Sequence, residues 1–123
     1  IGKRSAVLDL CLIESPEGSP VRIGNGVLIS HGAIIHGATI SSDVLIGAGA
    51  IVLDDASIGE GSIIGTGSIV TPRTVIPSNS LVLGSPGRVI RETTAEEREN
   101  IKKQINGLYH KSRTYIKEAC LLK

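Results

Sequence analysis

The chain has 123 residues, the size of one domain, and sets 13 basic against 12 acidic side chains for a net charge of +1. That balance gives no global field for nucleic acid or an anionic membrane, and no apolar run approaches the roughly 20 residues of a membrane span. Phe, Trp and Met are absent; the apolar 41 % is carried by Ile, Val, Leu and Ala beside 15 Gly. Thin repeated layers suit this composition better than a bulky core.

The repeat begins at once. Apolar residues recur every six positions at Ile1, Val7 and Ile13, then at Ile23, Ile29 and Ile35, and from Ile40 through Ile46, Val52, Ile58, Ile64, Val70 and Ile76 to Val82. Two irregularities interrupt them. A four-residue insertion around Glu17-Gly18-Ser19-Pro20 separates Ile13 from Ile23, and the hexad from Ile35 to Ile40 is one residue short. A period of six excludes an amphipathic helix, whose stripe follows 3.6, and exceeds the alternation of two in a simple strand. Each unit supplies one short strand and one tight turn, so three units close a triangular coil of a parallel β-helix whose aliphatic residues stack between coils. Glycine at the turns is expected where φ is positive or backbones approach closely.

After Arg91 the pattern changes. Thr94-Ala95-Glu96-Glu97 is a capping box, and Ile101, Ile105, Leu108, Ser112 and Tyr115/Ile116 follow at helical spacing. This predicts one helix over roughly 95–119, packed on the β-helix or on a neighbouring subunit, with Pro86-Gly87 marking the link before it. The division is a β-helix domain over 1–90 and a terminal helix segment over 91–123. Cys11 and Cys120 show no paired spacing and read as free thiols of a reducing, cytoplasmic compartment. The chain opens at Ile1-Gly2 inside the repeat, with no signal peptide visible, so upstream residues are expected.

Chemistry concentrates in the segment Ile29-Ser30-His31-Gly32-Ala33-Ile34-Ile35-His36-Gly37. His36 follows Ile35, and Glu14 likewise follows Ile13. With the insertion discounted, these two aliphatics lie one full coil apart. Glu14 and His36 should therefore stack on one face, about 4.8 Å apart along the solenoid. His31 belongs to the preceding hexad and points from another face. One chain can hardly bring all three to one ion, whereas two chains around a three-fold axis can, with His31 supplied by the neighbour. Imidazole and carboxylate donors together suit zinc or ferrous iron with one position left for water. Polar residues of a solenoid also face solvent without further role, and His110 on the predicted helix is read so. Asp9 lies one coil from His31 at the same place in its hexad. It is either an acceptor that orients an imidazole N–H or a turn-stabilising Asp.

The segment Ile23-Gly24-Asn25-Gly26-Val27 through His31 to Gly37 resembles the signature of γ-class carbonic anhydrases and their hexapeptide-repeat relatives. The resemblance continues through Val44-Leu45-Ile46-Gly47-Ala48-Gly49-Ala50-Ile51, Ile64-Gly65-Thr66-Gly67-Ser68, Val75-Ile76-Pro77 and Gly84-Ser85-Pro86. It implies a left-handed β-helix, a homotrimer, and zinc or iron held between subunits by three histidines for the hydration of carbon dioxide to bicarbonate. His31 and His36 match two of those ligands, and the third position is occupied by Glu14. Leu8 stands where the family tends to carry a Gln that helps place the nucleophile. Glu17 matches the loop position of a proton-shuttling acid in some relatives, though an exposed loop Glu with no such role is the better reading of it. The carboxylate of Glu14 offsets part of a dication's charge, which leaves bound water less acidic and activity low. Two other readings share the solenoid: a non-catalytic trimeric scaffold or assembly subunit, and a CoA-dependent acyltransferase. The acyltransferases usually place one His on a protruding loop, whereas these histidines sit within hexads.

Overall fold

A computed structural model describes residues 1–121 as a left-handed solenoid of about four turns, followed by one helix. Its first face stacks β1 (Ala6–Val7), β4 (Leu28–Ile29), β7 (Leu45–Ile46), β10 (Ile63–Ile64) and β13 (Ser80–Leu83), with β14 (Arg88–Glu92) added at the end. The second face stacks β2 (Leu12–Glu14), β5 (Ile34–His36), β8 (Ile51–Val52) and β11 (Ile69–Val70). The third stacks β3 (Arg22–Ile23), β6 (Thr39–Ile40), β9 (Ser57–Ile58) and β12 (Val75–Ile76). All pairings between coils are parallel. Ile13 sits over Ile35 and Ile35 over Val52, while Ile23 sits over Ile40, so the six-residue register carries across both irregularities.

The inward positions form one continuous core. Ile29, Ile35, Ile46, Val52, Ile58, Ile64 and Val82 are fully buried, with Ala33, Ala38, Ala50 and Ala56 filling the narrow corners. Backbone amides of each coil donate to carbonyls of the next, as from Leu28 to Val44 and from Leu45 to Ser62.

The turns share one device. A residue with positive φ occurs at Gly26, Gly32 and Gly37, then every sixth position through Asp43, Gly49, Asp55, Gly61, Gly67, Arg73 and Asn79. The left-handed region turns the chain at each corner, and Asp or Asn tolerates it better than other side chains. Gly47 serves a different need: a Cβ there would lie 2.6 Å from Thr66 N and 2.7 Å from Ile64 O, so the coils approach too closely for a side chain.

The outward residues give the three faces different characters. On the first, Ala6, Leu8, Leu28, Leu45 and Ile63 are covered by Ile101, Ile105 and Leu108 of α1 (Ala95–Leu121). On the second, the aligned Leu12, Ile34, Ile51 and Ile69 are apolar and partly exposed, Leu12 by 47 %. On the third, Arg22, Thr39 and Ser57 are polar and Val75 is exposed. Cys11 is half-buried, its thiol donating to Ser30 O at 2.9 Å, and Cys120 is exposed; both are free. Among the described residues, no helix is long and apolar enough to cross a membrane.

The capping box forms as expected. Glu97 N donates to Thr94 Oγ1 at 3.1 Å, and Thr94 N donates to Glu97 Oε1 at 2.9 Å. Arg91 adds a two-pronged contact to the same carboxylate at 2.8 and 3.0 Å, which with the cap holds Glu97 well below the usual carboxylate range, at about 2. The strand that carries Arg91 is absent from the repeat reading. β14 pairs antiparallel with β13, Ser80 opposite Glu92 and Leu83 opposite Arg88, with a register shift between Leu81 and Val82. A hairpin return has no six-residue period, so the hexads give no sign of it.

Four stability outcomes are expected. Ile46→Ala removes a fully buried side chain and should cost about 3 kcal/mol in denaturant unfolding. Val75→Ala, at a 74 % exposed position, should stay within about 0.5 kcal/mol. Thr94→Ala should cost about 1 kcal/mol. Because folding lowers the Glu97 pKa, its contribution is complete above the ordinary carboxylate range and fades as pH falls toward about 2. Glu97→Gln should therefore be less stable than wild type at neutral pH and lose less stability between about pH 4.5 and 2, the two converging at the acid end, as read by denaturant unfolding at each pH.

Candidate metal centre

The register of β2 on β5 sets Glu14 directly over His36. His36 Nε2 lies 3.5 Å from Glu14 Oε2. On the other side of the ring, Nδ1–H donates to the Asp54 carboxylate. Both carboxylates favour the imidazolium, and the His36 pKa is raised, mainly by the Asp54 hydrogen bond and against some desolvation.

Asp54 was not among the residues the sequence singled out. Its place follows from the short hexad. Ile35 pairs with Val52, yet the left-handed corner residue comes two positions on in the upper coil, at Gly37, and three positions on in the lower, at Asp55. One residue of the lower turn is left over, and it lies against His36. The five-residue step from Ile35 to Ile40 was the available signal.

His31 sits at the opposite edge of the second face, in the turn before β5, while Glu14 and His36 sit at its far edge. His31 and Asp9 line one groove of about 510 Å³ between the first coil and α1, together with Arg4, Leu108, Tyr109 and Tyr115. Asp9 stacks over His31 in register, its carbonyl accepting from Gly32 N at 3.0 Å. Glu17 lies exposed in the turn of the insertion. Leu8 packs in the apolar cluster under α1. His110 is exposed on the helix.

The paired donors fit a dication. An ion with bonds of about 2.0–2.1 Å in tetrahedral geometry separates two donors by roughly 3.3 Å, close to the 3.5 Å between Nε2 and Oε2. With Nδ1 donating to Asp54, the neutral ring turns its Nε2 lone pair toward a carboxylate, an arrangement that a proton, a cation or a bridging water satisfies. Among the described residues, no three His, Cys, Asp or Glu of one chain form a group that holds an ion, so any third donor comes from elsewhere.

A family described as bacterial transferase hexapeptide (six repeats) matches residues 37–72. The chain is 57 % identical over 102 residues to a "probable carbonic anhydrase" of Methanocaldococcus jannaschii, covering 83 % of this chain and 64 % of that protein. It is 38 % identical over 125 residues to a carbonic anhydrase of Geobacillus kaustophilus, covering 98 % of this chain and 69 % of that one. The chain belongs to the γ-class carbonic anhydrase-like family of hexapeptide-repeat proteins. A solved hexapeptide transferase family protein from Anaplasma phagocytophilum superposes with a TM-score of 0.88 at 30 % identity, covering 94 % of this chain and 68 % of that one. The chain thus spans about two thirds of the length of these relatives.

As a γ-carbonic anhydrase-like chain it carries an acid, Glu14, on its paired imidazole and a second, Asp54, behind the ring. Folding raises the His36 pKa, so the contribution of this histidine to stability is complete below about 6.5, the ordinary value, and is lost as pH rises through the native one. In metal-free protein, a carbon-detected NMR titration should place His36 above 6.5. Asp54→Asn should bring it back toward the ordinary range.

Proposed function

We propose that the chain assembles as a homotrimer around its second face. Zinc or ferrous iron is held between subunits by Glu14 and His36 of one protomer and His31 of the next. The observation that carries this reading is the Glu14–His36 pair at one edge of an uncovered apolar face, with His31 at its other edge. Copies packed through Leu12, Ile34, Ile51 and Ile69 bring the far edge of one subunit against the near edge of its neighbour. Burial of that ladder supplies the driving force, as α1 does for the first face.

When bound, such an ion supplies Lewis acidity that makes water a nucleophile near neutrality, with carbon dioxide and bicarbonate as the small-molecule pair it serves. The residues of this chain temper that chemistry. Glu14 brings a negative charge to a position where the family has a neutral imidazole. Leu8 offers no hydrogen bond, and its packing under α1 commits it to the apolar cluster. Asp9, beside His31 in the groove, serves as an acceptor that orients that imidazole, and Glu17 in the insertion is the exposed acid nearest in sequence to Glu14 for passing protons to solvent. The activity proposed is slow hydration of carbon dioxide by a cytoplasmic, metal-bridged trimer.

Metal analysis of the purified trimer, paired with stopped-flow hydration, tests both halves. About one ion per subunit is expected, with dissociation of the trimer on chelation and slow turnover. Glu14→His should raise turnover about ten-fold, the ratio carried by one pKa unit. Fast wild-type turnover would overturn the assignment of low activity. A trimer that carries no metal and ignores chelator would instead make the protein a scaffold, and a thermal shift with acetyl-CoA would revive acyl transfer.

A further inference from the structure

We infer that Asp54 is the positioning residue of this site: it fixes which nitrogen His36 presents and toward what. The inference rests on the reading of Glu14 and His36 as ion donors. An imidazole can turn over about its Cβ–Cγ bond, and a ring with no partner at Nδ1 offers either nitrogen outward. Asp54 accepts from Nδ1–H, which leaves Nε2 to face Glu14 at 3.5 Å. A carboxylate behind a ligating imidazole fixes its tautomer and raises its basicity.

The surroundings hold Asp54 in that place. Its carbonyl accepts from Arg73 N at 2.9 Å, and the next residue, Asp55, accepts from Ser19 Oγ at 2.9 Å. Ser19 belongs to the four-residue insertion, so the insertion braces the turn that carries Asp54. Gly37 is the keystone of the contact. A Cβ there would lie 3.1 Å from Ser19 Cβ and 3.2 Å from both Asp54 Cγ and Pro16 Cγ, at a φ of +65°. The insertion, the shortened hexad and Gly37 thus act on one carboxylate. Without them Asp54 would be an ordinary solvent-facing turn residue.

The test uses the full chain in two arms. In metal-free protein, at a pH where the ring is neutral, long-range ¹H–¹⁵N NMR should show the proton of His36 on Nδ1. Asp54→Ala should lose that signature, and Asp54→Asn, whose amide oxygen still accepts, should keep most of it. In the second arm, competition with a chromogenic chelator reads zinc affinity. Asp54→Ala is expected to weaken zinc about 10- to 100-fold, Asp54→Asn by only about three-fold, and Glu60→Gln, which removes an exposed charge elsewhere, not at all. Wild-type protein that takes up no zinc would remove the donor reading and this inference with it. Wild-type zinc binding with Asp54→Ala within two-fold of it would overturn the role of Asp54 alone. Should Asp54→Ala not fold, a proton found on Nε2 in the wild type would overturn the role by itself.

Discussion

Successive coils of the solenoid are joined by parallel backbone hydrogen bonds, and that ladder decides which side chains meet. It stacks Ile35 on Val52 inside and, by the same register, Glu14 on His36 outside. Sheet periodicity allows no partial slip, since a shift of one residue would send every inward aliphatic to the surface. The core therefore holds the candidate donors in place as firmly as it holds itself. The chain needs no large aromatic to do so, because each layer is completed by its neighbours rather than by interdigitation within the layer.

The three outer faces divide the remaining work. One is closed by a helix whose apolar stripe meets a ladder of aliphatics, one is polar, and one is apolar without cover from this chain. An uncovered apolar strip of this kind is ordinarily a contact surface. Here one edge bears Glu14 and His36 and the other bears His31.

Much of this was legible in the residues. Six-residue recurrence gave the strands and their stacking, and discounting the insertion was enough to place Glu14 over His36. The capping box located the helix start, and Ile101, Ile105 and Leu108 gave its buried stripe. Two features lay outside that reach. β14 is a hairpin return, paired antiparallel to its neighbour, and obeys no repeat. Asp54 sits two residues past its aliphatic, whereas His36 sits one past its own, so counting by register alone pairs His36 with Leu53. Only the loss of one residue from the corner above brings the carboxylate to the ring, a three-dimensional effect of a one-residue difference in length.

The recurring left-handed corner residue carries a wider meaning for how such a chain changes. Strand positions carry the inward aliphatics that stack above and below, whereas a corner is a backbone bend, hydrogen-bonded to the adjacent coils, that restarts the next strand. Residues added there, as between Glu14 and Arg22, or dropped there, as after His36, leave the aliphatic stack untouched. Corners are thus the editable joints of the solenoid, where new chemistry can be written beside a conserved interior geometry without renegotiating the fold.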